Sequence, residues 1–174
     1  HIDIDNISEL YKERKLRYKK YAEESKNYKN IFEYSYHLAN VLEIKADLGL
    51  KVKKAYDEKN MAELLNICDN VLPELRKRVE EFTKVYRDLW YYAYKGFGFE
   101  VIDGRLGAII ANIETTKYRL KQFINGEAAF IEELEEKRLP YKARGYDYRD
   151  GLNMRTLCYS SYAVTGYFSL GNTD

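Results

Sequence analysis

Residues 31–55 read IFEYSYHLANVLEIKADLGLKVKKA. Apolar or aromatic side chains recur at Ile31, Tyr34, Leu38, Val41, Ile44, Leu48, Val52 and Ala55, always three or four residues apart. That spacing follows the 3.6-residue turn of an α-helix and puts one face toward a core. The rhythm is the same on both sides of Gly49, so the helix is expected to run through it, where another helix comes close. Glycine costs about 1 kcal/mol there relative to alanine. The expected helix opens near Asn27 or Asn30 and continues to Lys59. One amphipathic helix this long needs partners of the same kind.

Such partners flank it on both sides. Ile7, Tyr11, Arg14, Tyr18 and Tyr21 form the stripe of a helix from about Ile7 to Lys26, opened by an Asn6–Glu9 capping box. After a break at residues 57–60, Met61, Leu64, Leu65, Cys68, Leu72, Leu75, Val79, Phe82, Tyr86 and Leu89 carry the period to about Tyr94. Pro73 lacks an N–H and clashes with the preceding turn, which predicts a short helix to about Asp69 and a long one from about Leu72. A further helix is expected from about Asp103 to Asn125, with Asp103 as its cap and Leu106, Ile109, Ile113, Leu120 and Phe123 inward. Asn125-Gly126 is a stop signal. A short acidic helix, Glu127 to Lys137, should follow, closed by Leu139-Pro140. Beyond Tyr141 the period is lost, and no 20–50-residue repeat is visible. The expected fold is all-α: an antiparallel bundle of four to five long amphipathic helices. The bundle spans 1–140, and an irregular tail, 141–174, belongs to the same domain.

Composition narrows the function classes. A chain of 174 residues can bury one sizeable core. Lys and Arg number 29 against 28 Asp and Glu, without the basic excess of a nucleic-acid-binding surface. No apolar run approaches the roughly 20 residues of a membrane span, and no signal peptide is expected. Two cysteines, Cys68 and Cys158, make no disulfide framework, and a cytoplasmic location is expected. The start at His1-Ile2-Asp3, without an initiator methionine, is expected to reflect an excised piece, a processed protein or a leftover tag residue.

Catalytic templates find no match. His37 is the only histidine besides His1, so no histidine-rich metal site can form, and Glu33 lies four residues from it rather than the three of a di-iron motif. Phosphate-loop, dinucleotide and nucleophile-elbow patterns are missing. Glu132, Glu133, Glu135 and Glu136, like Asp147 and Asp150, read as solvated charge rather than a glycosidase pair. Lys12 to Lys20 reads as a solvated helix face rather than a strand-binding surface. No catalytic residue, metal ligand or cofactor is expected in this chain, and no nucleic-acid or membrane partner.

Residues 90–107, WYYAYKGFGFEVIDGRLG, stand apart. They hold the one tryptophan, four glycines and several aromatics at a helix-to-helix corner. Large aromatics and arginine are the usual anchors of protein interfaces. Trp90, Phe97, Phe99, Glu100, Asp103 and Arg105 are therefore the candidate docking residues.

The same corner carries a family resemblance. Residues 86–90, YRDLW, and 97–107, FGFEVIDGRLG, resemble the C-terminal helical domain of certain bacterial family 20 β-N-acetylhexosaminidases. The likeness continues through residues 113–115, 119–120 and 131–136 to Leu139-Pro140-Tyr141, and upstream through 45–49 and 72–75, covering roughly residues 10 to 141. Gly96 departs from the family's usual proline and Gly104 from a larger residue, and the tail after Tyr141 matches nothing that can be placed. The resemblance implies a parent enzyme that removes terminal N-acetyl-β-hexosamine, with its chemistry on a (β/α)8 barrel. There an adjacent Asp-Glu pair supplies the general acid (Glu) and orients the substrate's acetamido nucleophile (Asp). None of that barrel is in this chain. The expected role is a non-catalytic accessory domain that packs on the barrel of the same parent chain and stabilises it, with a homodimer as the other expected contact. The rival is a free-standing helical interaction module, which a start codon just before His1 would favour.

Overall fold

The computed structural model describes residues 7–136. By its contacts the chain divides into two units, His1–Glu135 and Glu136–Asp174, and the elements below belong to the first. They are α1 (Ile7–Glu24), α2 (Lys29–Asp57), α3 (Met61–Asn66), a π-helical turn (Ile67–Val71), α4 (Leu72–Ala93), α5 (Phe99–Ile124) and the single turn α6 (Glu132–Glu135). Among the described residues there is no strand, and the fold is an all-α bundle, as the periodicity predicts. The Asn6 cap and the tail from 137 onward lie outside the described residues.

Side-chain contacts record how the helices run. Tyr21 meets Phe32, with ring centroids 5.4 Å apart, and Lys15 meets Glu43 at 2.5 Å, so α1 and α2 are antiparallel. Tyr34 reaches Phe82 and Tyr86, while Glu43 reaches Arg78, which sets α2 against α4 in the same sense. Asp103, Glu114 and Lys121 of α5 face Arg87, Arg76 and Asp69 in turn, which reverses direction once more. The core lies between α2, α4 and α5 and is closed at one end by α3. Leu64, Ile67, Cys68, Leu72, Leu75, Val79 and Leu120 are almost wholly buried there. Burial pushes the Cys68 thiol up, so it stays neutral and acts as a small apolar group.

α1 is mostly charged, and its contact is with α2. The expected stripe is displaced at its end: Tyr21 is exposed and Ala22 takes the buried position. α2 opens at Lys29, between the two expected asparagines, and runs unbroken past Gly49. Gly49 itself is exposed, so the close approach expected there is not found.

Pro73 acts as expected, in a gentler form. The chain stays helical, but the turn before the proline widens, and the Leu72 N–H donates to the Ile67 carbonyl five residues back. The wide turn makes room beside the proline ring, which then sits harmlessly in the first turn of α4. It also shifts the phase of the stripe. Ile67 and Cys68 are both buried, whereas Met61 and Leu65, expected inside, are exposed.

Beyond α5 the expected helix from Glu127 shrinks to α6. Gly126 adopts a left-handed φ of 75° and ends α5. Residues 127–131 then continue as bends and irregular backbone, and Ile131 is pinned. Its side chain is buried, and its N–H donates to the Tyr56 hydroxyl at 3.1 Å. That hydroxyl donates in turn to Glu135 Oε1 at 2.6 Å. Tyr56→Phe should lower stability by about 1–3 kcal/mol, the usual cost of leaving a buried donor unsatisfied. Urea unfolding should show the loss, with faster amide exchange at Ile131; wild-type exchange there would refute the clip.

Candidate interface at the α4–α5 corner

The corner between α4 and α5 is built on an aromatic ladder. Tyr34, Phe82 and Tyr86 touch inside the bundle, Tyr86 meets Trp90 and Phe99, and Trp90 meets Tyr94 at 5.0 Å. Burial, followed by the neighbouring Tyr86, raises the Tyr34 phenol, so that hydroxyl stays protonated. α4 stops where Tyr94 turns extended. The indole Nε1 of Trp90 then donates to the Lys95 carbonyl at 2.9 Å and closes the corner. Gly98 takes a φ of 97°, the left-handed region that glycine alone adopts at no steric cost. A Cβ there would also lie 3.5 Å from the Trp90 ring.

This geometry revises the expected start of the last long helix. α5 begins at Phe99 with Gly98 as its N-cap, and Glu100 Oε2 accepts the Gly98 N–H at 2.8 Å. A carboxylate near a helix start also suits the dipole there. Asp103 is therefore not the cap. It lies within α5, where its Oδ1 accepts from Arg87 at 3.1 Å.

The candidate residues divide accordingly. Phe97 is 90% exposed, whereas Phe99 is only 2% exposed and supports the corner from within. Trp90 is half-buried, 5.8 Å from the Phe99 ring. Glu100 and Asp103 are exposed but engaged in the contacts above. Arg105 is exposed too, and two residues on from Asp103 it lies around the helix on the opposite flank of α5. Sequence reasoning left out Tyr91, Tyr92 and Tyr94, which expose 58%, 78% and 66% of their surface at the end of α4. Their omission follows from reading the period alone, which marks the inward residues and ignores what crowds the outer face.

Elsewhere, no described group of three or more His, Cys, Asp or Glu side chains could hold a metal ion. No described helix is long and apolar enough to cross a membrane.

A model of the family described as the glycoside hydrolase 20C C-terminal domain matches residues 1–152. The chain belongs to that family. Membership in the glycoside hydrolase 20C C-terminal domain family implies a parent glycoside hydrolase. The match starts before and ends after the likeness read from residues 10 to 141. Residues 142 to 152, beyond the likeness read from the sequence, thus lie within the family match as well. No curated protein matches the chain.

Proposed function

We propose that this glycoside hydrolase 20C C-terminal domain is a non-catalytic accessory domain of a β-N-acetylhexosaminidase. It seats the α4–α5 corner on the catalytic barrel of the same parent chain and stabilises it. The observation that carries this reading is the group of four exposed rings, Tyr91, Tyr92, Tyr94 and Phe97, at one corner. Clustered exposed aromatics mark a contact surface, and two of the rings, Tyr91 and Tyr94, rest on the ladder through Phe99 and Trp90. Trp90, Glu100 and Asp103 frame the patch, Arg105 extends it to the opposite flank of α5, and Phe99 supports it. The free buried thiol of Cys68 fits a reducing, cytoplasmic setting.

The test uses the full-length enzyme carrying Tyr92→Ser and Phe97→Ser together. Both side chains are exposed, so the helical domain itself should unfold as before. The barrel should lose docking free energy of about 2 kcal/mol or more, typical of an aromatic hot spot, and melt earlier than wild type. An unchanged melt would sink the docking. A shift from dimer to monomer with an unchanged barrel melt would assign the corner to a second copy instead. The 174-residue chain alone should release no chromophore from an N-acetyl-β-glucosaminide; turnover abolished by a carboxylate substitution would refute the non-catalytic role.

A further inference from the structure

A cleft of about 490 Å3 opens where the end of α1 and the start of α2 meet α4. Its volume is in the range of small-molecule sites, about 300–1,000 Å3. The groove between α2 and α5 holds only about 170 Å3. Ala22 and Val85 supply apolar floor. Tyr36 and His37 form an aromatic wall, their rings edge to face with centroids 4.9 Å apart. Four charged groups stand round the cleft: Lys19 and Glu23 from α1, Lys29 and Glu33 from α2.

Three features mark this cleft as more than a packing gap. Among the described residues, Lys19 and Glu23 have no ion-pair partner, although a pair four residues apart on a helix could readily form. Lys29 and Glu33 are loosely paired at 3.6 Å and remain exposed. His37 Nδ1 is buried without a protein hydrogen-bond partner, which is uncommon for an interior nitrogen. Burial lowers the imidazole's affinity for a proton despite the nearby Glu81 and Glu33, so the ring is neutral near pH 7.

We propose that this cleft binds a neutral, polyhydroxylated ring of mono- or disaccharide size. Two amines and two carboxylates line it, so neither an anion nor a cation gains a net charge partner. A hydroxyl-bearing ring can instead accept from the amines and donate to the carboxylates while its apolar face lies on the Tyr36 and His37 wall. This inference goes beyond docking at the corner and does not depend on it.

The test is amide NMR of the 174-residue chain titrated with N-acetylglucosamine and with methyl glucoside, each to about 50 mM, where millimolar sites saturate. The amides of residues 19–23 and 29–37 should shift along saturating curves, together with the His37 ring protons. Glu33→Gln, a surface change, should weaken binding about tenfold through loss of a charge-assisted hydrogen bond, and Glu23→Gln should act in the same direction. The proposal fails if neither sugar moves those signals, or if both variants titrate like wild type. It fails equally if inorganic phosphate moves them and the sugars do not, since the ligand class is then an anion.

Discussion

Phe99→Ala is expected to destabilise the chain by about 3–5 kcal/mol, the range for removing a buried phenyl ring from a packed core. The ring is 2% exposed and meets Tyr86, Trp90 and Tyr91 at centroid distances of 5.8, 5.8 and 5.9 Å. The Arg87 guanidinium lies 5.8 Å from its centre. Two effects add. The transfer free energy of the ring is lost, and the void left behind cannot collapse easily. Its walls are rings anchored elsewhere: Trp90 is tied to Lys95, and Tyr86 is wedged against Tyr34 and Phe82. Urea unfolding followed by far-UV circular dichroism should show a lower midpoint with an unchanged slope. Trp90 fluorescence should shift to the red before global unfolding, because its neighbour in the ladder is gone. Phe97→Ala, two residues away and 90% exposed, should leave the midpoint nearly unmoved. Equal losses for the two variants would mean that Phe99 does not anchor the corner.

That contrast shows where sequence reasoning reached and where it ended. The 3.6-residue period of residues 31–55 and 61–94 was enough for the bundle, because each stripe is long and each break carries its own chemistry. At residues 57–60 the break is marked by Asn60, whose side chain caps α3 by accepting the Glu63 N–H at 3.0 Å. The period failed where a neighbour outside the window decides the outcome. Ala128 and Ala129 are good helix formers, yet Tyr56, more than seventy residues earlier, holds Ile131, and this segment is irregular backbone. At the corner, Asp103 looked like a cap because it precedes the regular stripe. Glycine at 98 and a carboxylate at Glu100 were the better signal, since together they provide a left-handed turn and an acceptor for its N–H. In α1 the tyrosines occupy both the inner and the outer face, so period alone could not decide between Tyr21 and Ala22. The candidate site was legible as an aromatic concentration. Its division into supporting and exposed rings depends on the burial of Phe99, which spacing does not reveal.

Glu43→Gln should lower stability by about 2–3 kcal/mol, and its effect should depend on pH. Glu43 Oε2 receives Lys15 of α1 at 2.5 Å and Arg78 of α4 at 2.6 Å, so one carboxylate ties three helices together. Arg78 also binds Glu74 Oε1 and the Asn40 carbonyl, each at 2.8 Å, and cannot swing away to water when Glu43 is neutralised. The three side chains at the centre keep only 18–19% of their surface exposed, so the expected loss lies just below the roughly 3–5 kcal/mol of a wholly buried broken pair. Burial by itself would raise the Glu43 carboxyl, but the hydrogen bonds from Lys15 and Arg78 outweigh it and hold it below the ordinary value of 4.5. A carboxylate held low in the folded state contributes stability that is fully present above 4.5 and is lost as pH falls through its folded value. His37, also held below its ordinary 6.5, has the same sign but begins to act at higher pH. Wild type should therefore weaken gently from about pH 6.5 and more steeply below 4.5, whereas the variant should keep the first slope and lose the second. The gap between the two proteins should close as pH falls, because protonated Glu43 and glutamine are then alike in charge. A gap that stays constant from pH 7 to pH 3 would show that Glu43 acts by shape alone. A gap confined to low pH would reverse the sign of the ion pair and overturn its role in holding α1 against the core.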